Sequence, residues 1–269
     1  MTVTATTPVP LQERIYRTEA IVLNRLDYRE ADRIITVYTP ERGKIRVIAK
    51  GVRRPLSRLG PHLEYFTRCR LMLAAGRELD TVTGAETVDP HLGLRSDLDA
   101  YGHASHMVEV LNRLTEDREA HQAVYDLLGS SLRLLADGLE PFIVTRHYEW
   151  ALLTLLGFRP ELYHCLHCQS ELVAVPNAFS SRLGGMLCPR CRGADSGSRE
   201  ISINAQKFLR GLDRQGLSFV ARLPLTDTVR TDVDGVMATY LRHVADTELR
   251  SLTVWRAIRD PEPRRPSSR

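Results

Sequence analysis

Apolar positions in the first third of the chain fall mostly on every second residue. Ile15–Leu26, Arg33–Tyr38 and Lys44–Ala49 are rich in Ile, Val and Tyr, and Ile35 and Val37 alternate with polar neighbours. A period of two predicts strands with one buried face. Pro40-Glu41-Arg42-Gly43 reads as a turn between the second and third runs. Leu63–Ala74 predicts a fourth strand, Ala75-Gly76-Arg77 a turn, and Leu79–Thr83 a fifth. Five short antiparallel strands in about 75 residues fit a small Greek-key barrel. The oligonucleotide-binding (OB) barrel is the commonest five-stranded form, and an SH3-like barrel stays open on pattern alone. Ahead of the strands, Met1–Glu13 is rich in Thr and Pro without periodicity and reads as a disordered arm.

From Ser96 the period becomes helical. Leu98, Tyr101, Ser105, Val108, Leu111 and Leu114 share one face, with Ser96 as the expected N-cap and Asp97 and Asp99 in the first turn. A second helix is expected from Ala120 to Ala136, ending at Asp137-Gly138. A third starts at Glu140-Pro141 and stops at Gly157. Beyond it come a short helix over Ile203–Arg214 and a longer one over Asp227–Leu249, with Val233, Val236, Tyr240, Val244 and Thr247 inward. Ala194–Arg199 reads as a linker, and Asp260–Arg269, with three Pro and no apolar content, as a frayed tail.

Between the two helical stretches lie Cys165-x2-Cys168 and Cys188-x2-Cys191, nineteen residues apart. Two knuckles at this spacing are a zinc-site pattern, and four thiolates close the tetrahedron with no position left for substrate. Two disulfides are the alternative. No secretory signal is read in the chain, and cytosolic thiols stay reduced, so one structural zinc ion is expected. His164 and His167 sit inside the first knuckle and are left outside the ligand set. The fifth cysteine, Cys69, lies in a strand and reads as a small buried residue.

Charge adds a second candidate. The net charge is only +4, but residues 1–80 hold fifteen Lys/Arg against nine Asp/Glu. Arg42, Lys44, Arg46, Lys50, Arg53, Arg54 and Arg58 fall in one stretch without an acid. Alternation puts Lys44 and Arg46 on one face, opposite Ile45 and Val47, and the loop beyond adds Arg53 and Arg54. Cations on a barrel face and its loops make a groove that tracks a phosphate backbone; a solvated charged face is the bland alternative. Tyr16, Tyr28, Tyr38, Tyr65 and Phe66 can stack bases, although Tyr65 and Phe66 read better as core. His103, His106 and Glu109 share a helix face, where a solvated or capping role outweighs a metal role. No nucleophile elbow or P-loop is present, and no apolar run reaches the ~18 residues of a membrane span. No membrane partner and no catalysis are expected.

Several stretches, in order, resemble one family. They are Glu30-Ala31-Asp32-Arg33-Ile34, Gly43-Lys44, Ala49-Lys50-Gly51-Val52-Arg53-Arg54 and Leu79-Asp80-Thr81-Val82-Thr83. Leu156-Gly157-Phe158-x-Pro160 ahead of the first knuckle, Gly184-Gly185-x2 ahead of the second, and Leu241, His243 and Arg250-Ser251 complete the series. The chain resembles the RecO family of bacterial DNA repair proteins over about residues 14–255. The resemblance implies an α+β chain: a five-stranded OB-fold barrel, then a helical bundle with an inserted four-cysteine zinc finger. The expected division is an arm at 1–13, an OB-fold DNA-binding domain at 14–90, helical domain at 91–158, zinc finger at 159–198, helical domain again at 199–259, and a tail at 260–269.

It also implies cytoplasmic binding of single- and double-stranded DNA, annealing of complementary strands, and help for RecA in displacing single-strand-binding protein. The implied partners are RecR and the acidic C-terminal tail of single-strand-binding protein, with RecA indirectly. For that tail, Val236, Tyr240 and Val244 with Arg242 and Arg250, and Leu111 with Arg113, are the candidate region; each apolar residue taken singly reads better as core. The alternatives are a zinc-containing nuclease or nucleotide hydrolase, and an RNA-binding regulatory module.

Overall fold

Five strands close into a barrel in the order β1-β2-β3-β5-β4: β1 (Ile15–Tyr28), β2 (Asp32–Thr39), β3 (Gly43–Ala49), β4 (Arg68–Ala74) and β5 (Asp80–Asp89). This computed structural model describes residues 15–251 and Val254. The arm expected at Met1–Glu13 and the tail expected from Asp260 lie outside the described residues. β1 is long enough to serve two partners. Its first half pairs with β4 (Ile15↔Ala74 to Ile21↔Arg68), and its second with β2 (Ile21↔Tyr38 to Tyr28↔Asp32), with a register break between Val22 and Asn24. Such bulges bend a strand, which lets one strand turn a barrel corner. A short parallel pairing of β3 with β5, Val47↔Asp80 and Ile48↔Thr81, closes the ring. Each barrel strand is then paired on both sides along at least part of its length.

The alternating residues meet inside. Val22, Ile35, Val37, Val47, Ala49, Leu71, Leu73 and Val82 form the barrel core, and Cys69 sits among them fully buried. Burial pushes the Cys69 thiol up to about 12, so it is an inert filler.

Two strand limits differ from the sequence pattern. The fourth strand begins at Arg68, because Leu63 closes a 3-10 turn (Gly60–Leu63) and Phe66 has φ +65°. The fifth runs six residues past Thr83 to Asp89. Among its added residues Gly84, Ala85, Glu86 and Asp89 have weak strand propensity, but Gly84 to Thr87 and Asp89 pair with β4, with a bulge at Val88, and pairing overrides propensity.

The chain divides into two compact units. The barrel unit takes in residues 115–129 as well as the strands. Arg118 N donates to the Lys44 carbonyl at 2.9 Å, and a Cβ built on Gly43 (φ +58°) would lie 1.9 Å from the Glu119 carbonyl oxygen. Gly43 is therefore required both by its backbone and by this close approach.

The second unit holds α1 (Gly93–Ser96), α2 (Leu98–Leu114), α4 (Pro141–Leu155), α5 (Ile203–Gln215), α6 (Leu217–Val220) and α7 (Asp227–Ala245); α3 (Gln122–Ala136) begins among the barrel-unit residues and ends among these. α2 packs on α4 and α7, and α5 on α4, α6 and α7. The cap of α2 is Asp97, not Ser96: its Oδ1 accepts from Asp99 N at 2.8 Å and Ala100 N at 3.1 Å, while Ser96 Oγ donates back to Gly93 O. Ser202 and Thr226 cap α5 and α7 in the same way. α7 stops at Ala245, with Asp246 left-handed (φ 48°), four residues before the expected Leu249. Val244 is half-buried and Thr247 lies past the helix end.

Candidate functional site

The cysteine segment folds around a small sheet in the order β7 (Gly185–Leu187), β6 (Asn177–Ser180) and β8 (Arg199–Ile201). The turn between β6 and β7 returns the chain so that Leu166 N donates to Met186 O at 3.0 Å, laying one knuckle on the other. The first knuckle is a tight turn. Gln169 (φ 61°) donates its N–H to Cys165 O at 2.8 Å. In the second, Cys191 N donates to Cys188 O at 2.9 Å at the start of a 3-10 turn over Pro189–Ala194. Ala194–Arg199 is not a slack linker. Buried Asp195 accepts from Ser180 Oγ and from Arg182, and Arg199 already opens β8.

The four sulfurs lie within 4.8 Å of one another, and Cys168 Sγ is 3.9 Å from Cys188 Sγ. A disulfide needs about 2.05 Å, whereas a tetrahedron with ~2.3 Å metal–sulfur bonds has edges of about 3.8 Å. The cysteines are free thiols in a metal-sized cluster. Their ionisation is frustrated. The Ser170 hydroxyl and backbone N–H hold Cys168 down to about 6. Cys165 is lowered too, since the N–H groups of Cys168, Cys188 and His167 outweigh its burial. Burial, then hydrogen bonds to the neighbouring thiols, push Cys191 up to about 12. Four sulfurs this close cannot all ionise without a cation between them. Such a set can hold one metal ion, closed on all sides. His164 is more than half exposed and lies 3.8 Å from Glu161, and His167 is exposed, so neither joins the cluster.

The seven cations of the basic stretch do not form one cluster. Lys44 and Arg46 lie along the outer face of β3 and Lys50 just past its end, while Ile45, Val47 and Ala49 point inward. Arg42 and Lys44 sit at the β2–β3 turn, and Arg53, Arg54 and Arg58 lie beyond the far end of a strand about 20 Å long. Lys44 is already engaged. Its Nζ donates to Thr115 O at 2.8 Å and lies 3.4 Å from the Asp117 carboxylate. The Arg42 guanidinium stands 4.0 Å from the centre of the Tyr16 ring. Arg53 lies 3.5 Å from Asp27 and donates to Glu30 O. Arg46, Lys50, Arg54 and Arg58 are exposed and form no ion pair with the described residues. Asp117 and Thr115 lie some seventy positions from Lys44, and nothing in the local pattern pointed to them.

Among the aromatics, Tyr38 and Phe66 are buried, Tyr65 is half-buried with Arg25 4.4 Å from its ring centre, and Tyr28 is exposed beside Arg29. On α2 the polar face turns inward. His106 is buried, and its Nε2 lies 2.6 Å from Glu149 Oε1; buried Arg146 reaches the same oxygen at 3.0 Å. Glu109 accepts from the backbone N–H of Arg250 and Ser251 and from Ser251 Oγ. Of the solvated or capping roles expected for these residues, Glu109 takes the capping one, for the chain after α7, while His106 is instead buried beside the Arg146–Glu149 pair. Val236, Tyr240 and Leu111 fill the helical core and cannot line a surface pocket. A cleft of about 470 Å³ lies elsewhere in this unit, with Leu172, Ile203 and Phe219 as apolar lining and Lys207, Arg210 and Arg214 as its cations.

Family models described as "Recombination protein O N terminal" and "Recombination protein O C terminal" match residues 14–91 and 95–253. The DNA repair protein RecO of Roseiflexus sp. (strain RS-1) is 40% identical over 242 residues, which is 90% of this chain and 85% of that protein. This chain belongs to the RecO family. The RecO proteins of Pelotomaculum thermopropionicum and of Dehalococcoides mccartyi (strain ATCC BAA-2266) are 35% and 33% identical, over 88% of this chain and 92% and 93% of theirs. The two RecO models meet between β5 and α2, where the strands give way to helices. No helix among the described residues is long and apolar enough to cross a membrane.

Proposed function

We propose that this RecO-family chain is a non-enzymatic recombination mediator of the bacterial cytoplasm. It binds single- and double-stranded DNA and anneals complementary strands. It also helps RecA onto DNA coated by single-strand-binding protein. The observation that carries this reading is the set of unpaired, exposed cations Arg46, Lys50, Arg54 and Arg58 on β3 and its loop. Phosphates held there release counterions, and two strands on one basic surface lose much of their mutual repulsion. Such contacts position DNA without reading bases, as a mediator of arbitrary sequence requires.

The cysteine cluster is assigned to one zinc ion held by Cys165, Cys168, Cys188 and Cys191. Four thiolates suit zinc, and a closed site has no coordination position for a hydrolytic water, which argues against a zinc nuclease. RecR and the acidic tail of single-strand-binding protein are the partners this reading carries. An acidic segment with an apolar end suits the cleft, whose walls carry Lys207, Arg214 and Arg210 (the last bonded to Leu162 O) against one acid, Glu171, beside apolar Leu172, Ile203 and Phe219.

The test is a salt-dependent titration of full-length protein with labelled single-stranded DNA. Replacing both Arg54 and Arg58 by Ala should weaken binding to all sequences and flatten the log–log salt slope by about 0.7 per lost contact. Unchanged affinity and slope would sink the assignment of the DNA surface.

A further inference from the structure

The loop after β3 carries an apolar side chain that phosphate binding alone does not need. Leu56 is 95% exposed, more than any other large apolar residue among those described. Lone exposed apolar side chains are ordinary on protein surfaces, so exposure alone says little. Three further observations set this one apart.

Leu56 stands at the apex of a tight turn. Ser57 N donates to Arg54 O at 2.9 Å, which makes Pro55 and Leu56 the two central residues. Proline at the first central position pre-sets φ and stiffens such a turn. The turn is also tied to the barrel. Arg53 N donates to Ala31 O at 3.0 Å, Arg54 N to Gly51 O at 3.1 Å, and Gly51 N to Asp32 Oδ1 at 2.8 Å. Val52 is buried in the barrel core before the turn, and Leu59 packs on that core after it. The loop thus has no freedom to fold Leu56 back against the protein. Finally, the apex is flanked by exposed Arg54 and Arg58, and no acid occurs from Gly51 to Pro61.

We propose that Leu56 is a wedge. With the DNA backbone held by Arg54 and Arg58, the leucine side chain enters between two stacked bases and opens that step. The proposal rests on reading this loop as part of the DNA surface. Cations alone cannot part bases, because they act on phosphates. An apolar side chain can, and leucine is among the residues that unstack base steps in this way. Removing its surface from water offsets part of the cost of unstacking. Because the turn is already rigid, little ordering entropy is lost on insertion. Leucine offers no hydrogen bond to a base edge, so the wedge adds no sequence code, though it favours flexible pyrimidine–purine steps. Bases opened in this way are exposed for pairing with a second strand, which fits an annealing protein.

The experiment uses full-length protein and a duplex carrying one 2-aminopurine, whose fluorescence rises on unstacking. Binding is followed separately by anisotropy. At saturation the native chain should raise the fluorescence. Leu56→Ala and Leu56→Ser should cut that rise at least about threefold with the salt slope of binding unchanged, since no phosphate contact is lost. Leu56→Met should keep most of it. An undiminished rise in the Ala variant, or no rise when the native chain is bound, would overturn the wedge. If anisotropy shows no DNA binding at all, the underlying DNA reading fails and the wedge with it. If phosphatidylglycerol vesicles instead retain the native chain but not Leu56→Ala, and the fluorescence is indifferent to the change, Leu56 is a lipid contact and the proposal is wrong.

Discussion

The Nζ of Lys44 stands 3.4 Å from the Asp117 carboxylate, so a cation that looks free in the sequence is held by a segment far along the chain. Its side chain is only 12% exposed and also donates to Thr115 O. Lys44→Ala should therefore cost stability, by about 1–2 kcal/mol for the lost hydrogen bond and ion pair, with little change in DNA affinity. Chemical denaturation beside a DNA titration checks this. A large affinity loss at unchanged stability would show that Lys44 leaves Asp117 to contact DNA.

Cys188→Ser should lower metal content and stability together, because a structural site couples binding to folding. Metal analysis of the purified variant, with a melt before and after chelator, measures both. Acid should release the ion from the native protein, since protons compete for the same thiolates. DNA binding by the barrel should survive better than the fold of the cysteine segment, because no ligand lies in the basic stretch.

Arg146 and Glu149 pair in the core of the helical unit, both almost wholly buried. Arg146→Met leaves the buried Glu149 carboxylate with His106 as its remaining side-chain partner among the described residues, and should cost about 3–5 kcal/mol. Adding Glu149→Leu should recover part of that loss, because the stranded buried carboxylate is removed, while the partly exposed Asp234, 3.6 Å from Arg146, still loses that contact. Urea midpoints of the single and double variants decide it. A double variant no better than Arg146→Met would contradict the assignment.

Glu109 gives a dependence on pH. Burial opposes its charge, but the N–H groups of Arg250 and Ser251 and the Ser251 hydroxyl outweigh that and hold its carboxyl below the ordinary 4.5. A depressed folded value stabilises above 4.5, and that contribution is lost as pH falls through the lower folded value. Amide exchange at Arg250 and Ser251 should stay protected at pH 5 and above relative to Glu109→Gln, and that advantage should shrink as pH falls below 4.5 through the lower folded value. Equal protection in both proteins at pH 6 would show that the cap contributes nothing.

What the sequence determined by itself is local. A period of two marked the barrel strands, the change to helical period marked α2, α4, α5 and α7, and the spacing of Cys165, Cys168, Cys188 and Cys191 marked the cysteine cluster. Those features depend on residues a few positions apart, or on two tight turns, and such patterns are written in the chain. Other features needed the fold. Gly84 to Asp89 became strand because β4 lay beside it, and α2 began at Asp97 because that carboxylate, rather than Ser96, meets the free N–H groups. His106 looked solvated until Glu149 and Arg146 were seen around it. Of seven cations in one acid-free stretch, the tertiary structure engaged Lys44 with Asp117 and Arg53 with Asp27, set Arg42 over the Tyr16 ring, and left Arg46, Lys50, Arg54 and Arg58 facing outward. The reason is the reach of the interaction. A hydrogen bond or ion pair acts over a few ångströms in space with no regard for distance along the chain, so which charges remain available is decided only when distant segments are brought together.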